Sequence, residues 1–152
     1  MNDFVIDETF EIEQTAMRLL SAHDHSISQL RHKLLKRNYA ADEIEQVLEE
    51  LQQRNLLNDQ RYAEYYVSFR SARGYGPVRL QQELREKGIS EQLAESALQS
   101  FEDEWHTILN DALHKKFGQR PALNFAERAK RARFLEYRGF ASWMIRQHLF
   151  EN

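Results

Sequence analysis

Hydrophobic residues recur along this chain at the spacing of amphipathic helices. The clearest stripe occupies positions i, i+3, i+4 and i+7 of one segment, namely Ile44, Val47, Leu48 and Leu51. An apolar face of this period is typical of a helix that packs against a core. No alternating run of apolar and polar residues is long enough to predict a strand. The pattern therefore predicts an all-α protein.

The helical pattern also repeats about every 50 residues. The segment 29–39 matches 79–89 after a shift of 50, and 130–140 after a further shift of 51. Apolar and basic positions coincide in the three copies, as in Leu34, Leu84 and Leu135, or Arg37, Lys87 and Arg138. A period of this length is typical of helical repeat proteins. We therefore predict a single modular chain, 1–152, with approximate repeats 8–57, 58–103 and 104–152.

A helix end is predicted at the same place in each repeat. Asn38, Gly88 and Gly139 align there, each preceded by a basic residue and followed by an apolar one. Glycine, and next to it asparagine, suits the left-handed conformation that often ends a helix. A basic residue just before it suits the negative end of the helix dipole. The three positions are therefore predicted structural motifs.

Start signals divide each repeat into three helices. Ser26 and Gln29 have the spacing of a capping box, and Asn58 is a plausible N-cap. Gly74, Tyr75 and Gly76 break the chain before Pro77, which suits a first helical position. The first helix of the second repeat is expected to bury Tyr62, Tyr66 and Phe69. We predict a tandem array of three three-helix repeats, an extended rod that could be curved.

Composition excludes several classes of protein. The 152 residues contain no cysteine, so disulfides and thiolate sites are absent. No secretory signal pattern and no apolar run long enough to span a membrane is visible. We expect a monomer in the cytoplasm. The formal net charge is only −3, but charge alternates in blocks: residues 91–111 hold six acids and no base, and residues 112–152 hold nine bases and three acids. A near-neutral total thus hides basic regions.

The motifs of enzymes and metal sites are missing. His23, His25 and His32 lie close together but lack the spacing of ligands on one helical face, and the first two fall in an inter-helix turn. No nucleophile elbow, phosphate loop or zinc-protease motif occurs. We expect no catalytic residue, no metal and no cofactor.

Two basic segments are candidates for binding a partner or DNA. The first joins Arg70, Arg73 and Arg79 around Tyr75, which we expect to be exposed. Guanidinium groups match phosphates and carboxylates, and an exposed aromatic ring can stack on a base or fill a protein pocket. Glycine and proline are explained by the turn alone, whereas the arginines are not. Lys87, at the end of the next helix, is a further candidate.

The second basic segment lies in the third repeat. Arg128, Arg131 and Arg138 fall on one side of the predicted helix, and Lys130 and Arg133 project elsewhere. The alternative is a solvated helix whose arginines fringe the core stripe. Arg131 takes the position that leucine holds in the other two repeats, which suggests a specialised surface or a shifted register.

A set of short motifs follows a definite order and spacing along roughly residues 12–150. The motifs are Leu56–Asp59, Arg61–Ala63, Phe69–Arg70, Arg73–Pro77, Glu83–Leu84, Lys87–Ile89, Trp105, Arg133–Leu135 and Arg138–Phe140. Together they resemble the RecX family of regulatory proteins, modulators of the RecA recombinase. The sequence departs from a strict repeat at Asn38, where the other repeats carry glycine, and at Arg131.

The resemblance implies three-helix repeats that bind in the groove of a RecA–single-stranded-DNA filament. It implies inhibition of ATP hydrolysis, strand exchange and the SOS response, and no catalytic residues. Because the formal net charge is −3, we expect single-stranded DNA to be bound weakly or through the filament. The residues alone leave two other classes open, a stand-alone helical nucleic-acid-binding module and a general protein-interaction scaffold. Inhibition of RecA ATPase would favour the RecA regulator. Sequence-specific binding to duplex DNA would favour the nucleic-acid-binding module. The absence of both activities would favour the interaction scaffold.

Overall fold

The computed structural model describes residues 8–151 and confirms the all-α class. In that range the chain forms nine helices and no strand. They are α1 (Glu8–Ala22), α2 (Ile27–Leu35), α3 (Ala41–Gln53), α4 (Asp59–Ser71), α5 (Pro77–Glu86), α6 (Glu91–Gln99), α7 (Trp105–Phe117), α8 (Phe125–Tyr137) and α9 (Ser142–Leu149).

The predicted start signals are confirmed at three helices. The Ser26 hydroxyl accepts from the Gln29 backbone N–H while the Gln29 side chain accepts from the Ser26 N–H, which completes the capping box of α2. The Asn58 side chain accepts from the Arg61 N–H at the start of α4. Pro77 is the first residue of α5. Local chemistry therefore determines where these helices begin.

The chain divides into two compact units. Unit 1 comprises Met1–Tyr62 with Lys87–Ile89, and unit 2 comprises Ala63–Glu86 with Ser90–Asn152. In unit 1, α1, α2 and α3 pack on one another around a core that is almost fully buried. This core consists of Ile12, Ala16, Leu30, Leu34, Ile44, Val47, Leu48, Leu51 and Leu57.

Unit 2 has its own buried residues. Helix α5 packs on α6, and α8 packs on both α7 and α9. The buried apolar side chains include Ala63, Val67, Leu80, Leu84, Ala94, Ala97, Leu98, Trp105, Leu109, Leu113, Leu135, Phe140, Met144 and Ile145. Burial of this apolar surface is the main force that holds the helices together.

The predicted left-handed helix ends are confirmed. Asn38 has φ 64°, Gly88 has φ 81° and Gly139 has φ 91°. At Gly139 a side chain is also excluded by space, because an added β-carbon would lie 2.7 Å from the backbone nitrogen of Arg79. Asn38, in contrast, is exposed and has room for its side chain.

One expectation about the core is wrong. Phe69 is 47% exposed instead of buried, and Tyr66 is only half-buried. Helix α4 instead buries Tyr62, Ala63 and Val67. At about 100° per residue, Phe69 projects about 120° away from Ala63, so it lies at the edge of the buried face.

Candidate partner-binding surface

Backbone contacts in unit 2 bring the two predicted basic segments together. Gly74, with φ 88°, ends the turn after α4 and leads the chain into Tyr75. The Gly76 N–H then donates to the Arg138 carbonyl at 2.8 Å. The Val78 N–H donates to the Gly139 carbonyl at 2.9 Å. The start of α5 is thereby held against the end of α8.

Tyr75 is the centre of an arginine cluster. The guanidinium carbons of Arg70, Arg79 and Arg138 lie 4.0, 4.7 and 4.9 Å from the centre of its ring. At these distances each cation is attracted by the electron-rich ring. The expectation that Tyr75 is exposed is wrong, because the ring is half-buried beneath these arginines.

Glu83 balances part of this positive charge. Its carboxylate accepts from Arg70 Nε and Nη2 at 3.0 and 2.9 Å, from Arg79 Nε at 3.0 Å and from the Tyr66 hydroxyl at 2.7 Å. Burial opposes ionisation of this carboxyl, but the hydrogen bonds from Arg70, Tyr66 and Arg79 lower its pKa to about 2. Arg70 and Arg79 are therefore committed to an internal ion-pair network.

Arg73 and Arg138 have no such carboxylate. Within residues 8–151, neither forms an ion pair. Arg138 Nη1 donates to the Arg73 carbonyl at 3.1 Å, and its guanidinium also lies 4.9 Å from the ring centre of Phe134. The guanidinium of Arg73 lies 4.6 Å from the ring centre of Phe69. These two cations keep charge that a ligand could neutralise.

Arg73 and Arg138 both line a groove of about 540 Å³ in unit 2. Its charged lining residues are four cations, Arg73, Lys115, Lys116 and Arg138, against the single acid Asp111. The rest of the lining is Ser71, Ala72, Gly74, Ile108, Ala112 and Phe134. Sequence reasoning did not single out the two lysines. Their position in the last turn of α7, ahead of Gly118, could equally have been explained by the helix dipole.

The remaining candidates on α8 do not join the cluster. Arg128 lies near the ring of Phe150, and Lys130 near that of Phe117. Arg133 is exposed. Of the three cations predicted on one side of the helix, only Arg138 lies over the ring of Tyr75, whereas Arg128 lies near Phe150 and Arg131 near Phe117.

Arg131 is a buried residue and not a surface cation. It is 7% exposed, at the position where α2 and α5 bury Leu30 and Leu80. Its Nε donates to Glu127 at 3.4 Å, and its guanidinium lies 5.2 Å from the ring centre of Phe117. The aliphatic stem thus fills the leucine position while the charged head is paired. Interpreting Arg131 as a surface cation was wrong.

Lys87 belongs to unit 1, where its main chain has a structural role. Its carbonyl accepts from the Ser26 hydroxyl at 2.6 Å. Next to it, a β-carbon added to Gly88 would lie 2.5 Å from the Ser28 hydroxyl oxygen. The side chain of Lys87 is half-buried.

His25, which the sequence predicts in an inter-helix turn, also lies in unit 1. It is 2% exposed. Its Nδ1 bonds the His23 carbonyl at 2.9 Å, and its Nε2 lies 2.7 Å from Lys33 Nζ. Nδ1 therefore donates and Nε2 accepts from the ammonium group, as a neutral imidazole can. Burial is the main cause that lowers the pKa of His25, and Lys33 adds to it.

Neither a metal cluster nor a membrane span is present in the part of the chain that the structure describes. No group of three histidine or acidic side chains there could hold a metal ion. None of the helices in residues 8–151 is long and apolar enough to cross a bilayer.

Comparison with known proteins gives consistent matches to one family. Three family models match in order: "RecX, first three-helix domain" over residues 14–51, "RecX, second three-helix domain" over 58–98, and "RecX, third three-helix domain" over 102–149. Among curated relatives, regulatory protein RecX of Pseudomonas fluorescens (strain SBW25) is 37% identical over 141 residues, which are 93% of this chain and 91% of that protein. The protein of the same name from Pseudomonas putida (strain GB-1) is 39% identical over 142 residues, covering 93% and 90%.

Solved structures share the fold. The crystal structure of RecX from Lactobacillus salivarius superposes with a TM-score of 0.78 at 22% identity, covering 91% of this chain and 92% of that one. A second crystal structure, of a regulatory protein RecX, gives a TM-score of 0.76 at 22% identity and covers 95% and 74%.

Proposed function

The chain belongs to the RecX family of regulatory proteins, and from that membership we propose that it binds the RecA–single-stranded-DNA filament and inhibits the recombinase. The inhibited activities are ATP hydrolysis, strand exchange and the coprotease step of the SOS response. The protein acts as a cytoplasmic monomer without a cofactor, and the three repeats predicted above are its binding modules.

The observation that carries the proposal is the basic groove of unit 2. A groove with four cations and one acid attracts a polyanion or an acidic protein surface, although the whole chain has a formal net charge of −3. A nucleoprotein filament offers both kinds of surface, namely phosphates and a folded protein. A desolvated contact to such a surface depends on the cations that have no internal partner.

The groove divides the candidate arginines into two roles. Arg73 and Arg138, with Lys115 and Lys116, are the proposed contact residues. Arg70 and Arg79 hold Tyr75 and Glu83 in place, so they position the surface instead of contacting the partner. A positioning arginine should affect stability and inhibition together, whereas a contact residue should affect inhibition alone.

The test compares two adjacent pairs of exposed cations. Lys115→Gln with Lys116→Gln removes two charges from the groove, and Lys36→Gln with Arg37→Gln removes two from the turn that follows α2 in unit 1. Each double variant is titrated into RecA-driven ATP hydrolysis on single-stranded DNA. We expect the groove pair to need roughly tenfold more protein for half-inhibition, and the control pair to match the wild type. Equal inhibition by both double variants would contradict the assignment of the groove.

The stand-alone nucleic-acid module is distinguished in the same preparation. It requires binding to duplex DNA with a sequence preference in the absence of RecA. A wild-type chain that leaves RecA ATPase unchanged but selects one duplex sequence would replace the proposal with this alternative.

A further inference from the structure

Helix α4 exposes an aromatic pair that neither the core nor the arginine cluster explains. Tyr65 is 65% exposed and Phe69 is 47% exposed. The two rings lie one helical turn apart, with their centres separated by 6.3 Å and their planes 11° from parallel. Single exposed apolar side chains are ordinary, but two large parallel rings on adjacent helical turns are a feature that calls for a partner.

Arg73 connects this pair to the basic groove. Its guanidinium lies 4.6 Å from the ring centre of Phe69, and the same side chain lines the groove with Lys115, Lys116 and Arg138. All of these residues belong to unit 2. The aromatic pair therefore borders the basic groove through Arg73.

This combination matches the chemistry of one polymer. Single-stranded nucleic acid has flat apolar bases and a charged backbone, and its binding sites combine aromatic platforms with a positive groove. An acidic peptide would use the groove but leave the rings unoccupied. In a duplex, the bases are already stacked on each other and cannot cover an aromatic side chain.

We propose that Tyr65 and Phe69 form a base-stacking platform for single-stranded DNA whose phosphates lie in the groove of Arg73, Lys115, Lys116 and Arg138. The proposal deepens the filament-binding function, because it identifies the surface that meets the DNA strand. Arg73 contributes at the boundary, where it can bind a phosphate while remaining over Phe69.

Stacking and charge should separate experimentally. Binding to a fluorescein-labelled oligothymidine of about 20 nucleotides is followed by anisotropy at low salt, and a duplex of mixed sequence serves for comparison. Tyr65→Leu and Phe69→Leu keep apolar bulk but remove the π face, and each should weaken single-strand binding about tenfold. Tyr65→Phe keeps the ring and should bind as the wild type does. Phe10→Leu, at another exposed phenylalanine, is the matched control.

Salt dependence provides the second readout. The plot of log affinity against log salt should keep its slope in the leucine variants, because stacking releases no counterions. It should become shallower when Lys115 and Lys116 are replaced by glutamine, by about 0.7 for each lost phosphate contact. Thermal unfolding of each variant confirms that the comparison is between folded proteins.

Several outcomes would overturn the platform. They are wild-type single-strand binding by both leucine variants, an equal loss of duplex binding, or a wild-type chain that does not bind the oligonucleotide at low salt. Weaker RecA inhibition with unchanged oligonucleotide affinity would assign the rings to a protein contact and also overturn it. The RecA assay keeps the two proposals apart, since a wild-type chain that binds the oligonucleotide through these rings without inhibiting RecA would refute only the filament function.

Discussion

Each unit contains a two-residue turn with a left-handed glycine that packs against the start of a helix. We call this turn a corner, and the contacts that hold it differ between the two units. In unit 1 the corner is Lys87–Gly88, and it lies against the start of α2. In unit 2 the corner is Arg138–Gly139, and it lies against the start of α5. Both glycines have positive φ, 81° and 91°. The shared conformation explains why glycine recurs at this position in the sequence.

The fastening contacts differ in kind. A side chain makes the bond in unit 1, where the Ser26 hydroxyl donates to the Lys87 carbonyl. In unit 2 backbone N–H groups of Gly76 and Val78 donate to Arg138 and Gly139, and a β-carbon at Gly76 would lie 2.6 Å from the Gly139 carbonyl carbon. A contact made by a side chain can adapt to a substitution. A contact between two backbones cannot, so the second corner should be the less tolerant.

The largest expected effect is therefore that of Gly139→Ala. A non-glycine residue at this φ costs about 1–2 kcal/mol, and overlap with the Arg79 backbone adds a packing penalty of about 1–3 kcal/mol. Gly88→Ala has the same conformational cost, but its new methyl group meets mainly the Ser28 side chain. Urea unfolding should show the greater loss for Gly139→Ala. Equal losses would remove the distinction between the corners.

Double-mutant cycles sharpen this test. Ser28→Gly should recover part of the loss in Gly88→Ala, because it removes the atoms that the methyl group meets. Arg79→Gly should recover little in Gly139→Ala, since the backbone nitrogen and Cα of Arg79 remain within 2.9 Å of the added carbon. Recovery of similar size in both cycles would show that unit 2 also adapts through side chains.

The next largest difference is expected between the ion pairs of the two units. In unit 2, Glu83→Gln leaves two arginines without their carboxylate and should cost about 2 kcal/mol, after allowance for partial exposure. In the wild type the pKa of the Glu83 carboxyl is lowered to about 2. The stability that its ionised form contributes is therefore present above pH 4.5 and is lost as the pH falls from 4.5 towards 2. In unit 1, Glu45→Gln breaks an exposed pair with Arg31 and should cost less than about 0.5 kcal/mol. Acid titrations followed by circular dichroism should give a smaller loss for Glu83→Gln than for the wild type.

The smallest expected effect is the pH response of unit 1. The folded-state pKa of His25 is below its ordinary 6.5, so the unfolded chain binds the proton first. Stability is complete above pH 6.5 and is lost as the pH falls below it. Protonation also places a cation against Lys33, beside His23 and Asp24.

Two histidine variants isolate this response. Between pH 7.5 and 5.5 the wild-type melting temperature should fall, because the unfolded chain protonates His25 before the folded protein does. His25→Gln should lose this part of the pH dependence, and His32→Gln, at an exposed position, should retain it. Some dependence should remain in every variant, because burial also lowers the pKa of His148 in unit 2. An unchanged pH profile in His25→Gln would rule out its role.

Much of the fold could be predicted from residues that lie within a few positions of one another in the sequence. The capping box at Ser26, the first-turn proline at Pro77 and the left-handed positions 38, 88 and 139 all follow from local backbone chemistry. Repetition then extended these local predictions to three helices per repeat. For this reason the helices could be predicted without knowledge of their packing.

The candidate site was predicted less completely, because its chemistry depends on long-range contacts. The burial of Arg131 depends on Phe117 and Glu127, and the covering of Tyr75 depends on Arg138, 63 positions further along the chain. Phe69 lies at the edge of a buried stripe, where periodicity alone does not decide exposure. The charge of Arg70 and Arg79 is visible in the sequence, whereas their shared ion pair with Glu83 is not.

Asn38 has a consequence for how this chain could be lengthened. Corners 88 and 139 are contacted by a helix start and have no space for a β-carbon, whereas residue 38 is exposed and carries a side chain. A gene duplication that placed another helix start against residue 38 would meet that side chain, and would first require a codon change to glycine. Asparagine at this position thus sterically disfavours the contact with a helix start that Gly88 and Gly139 make.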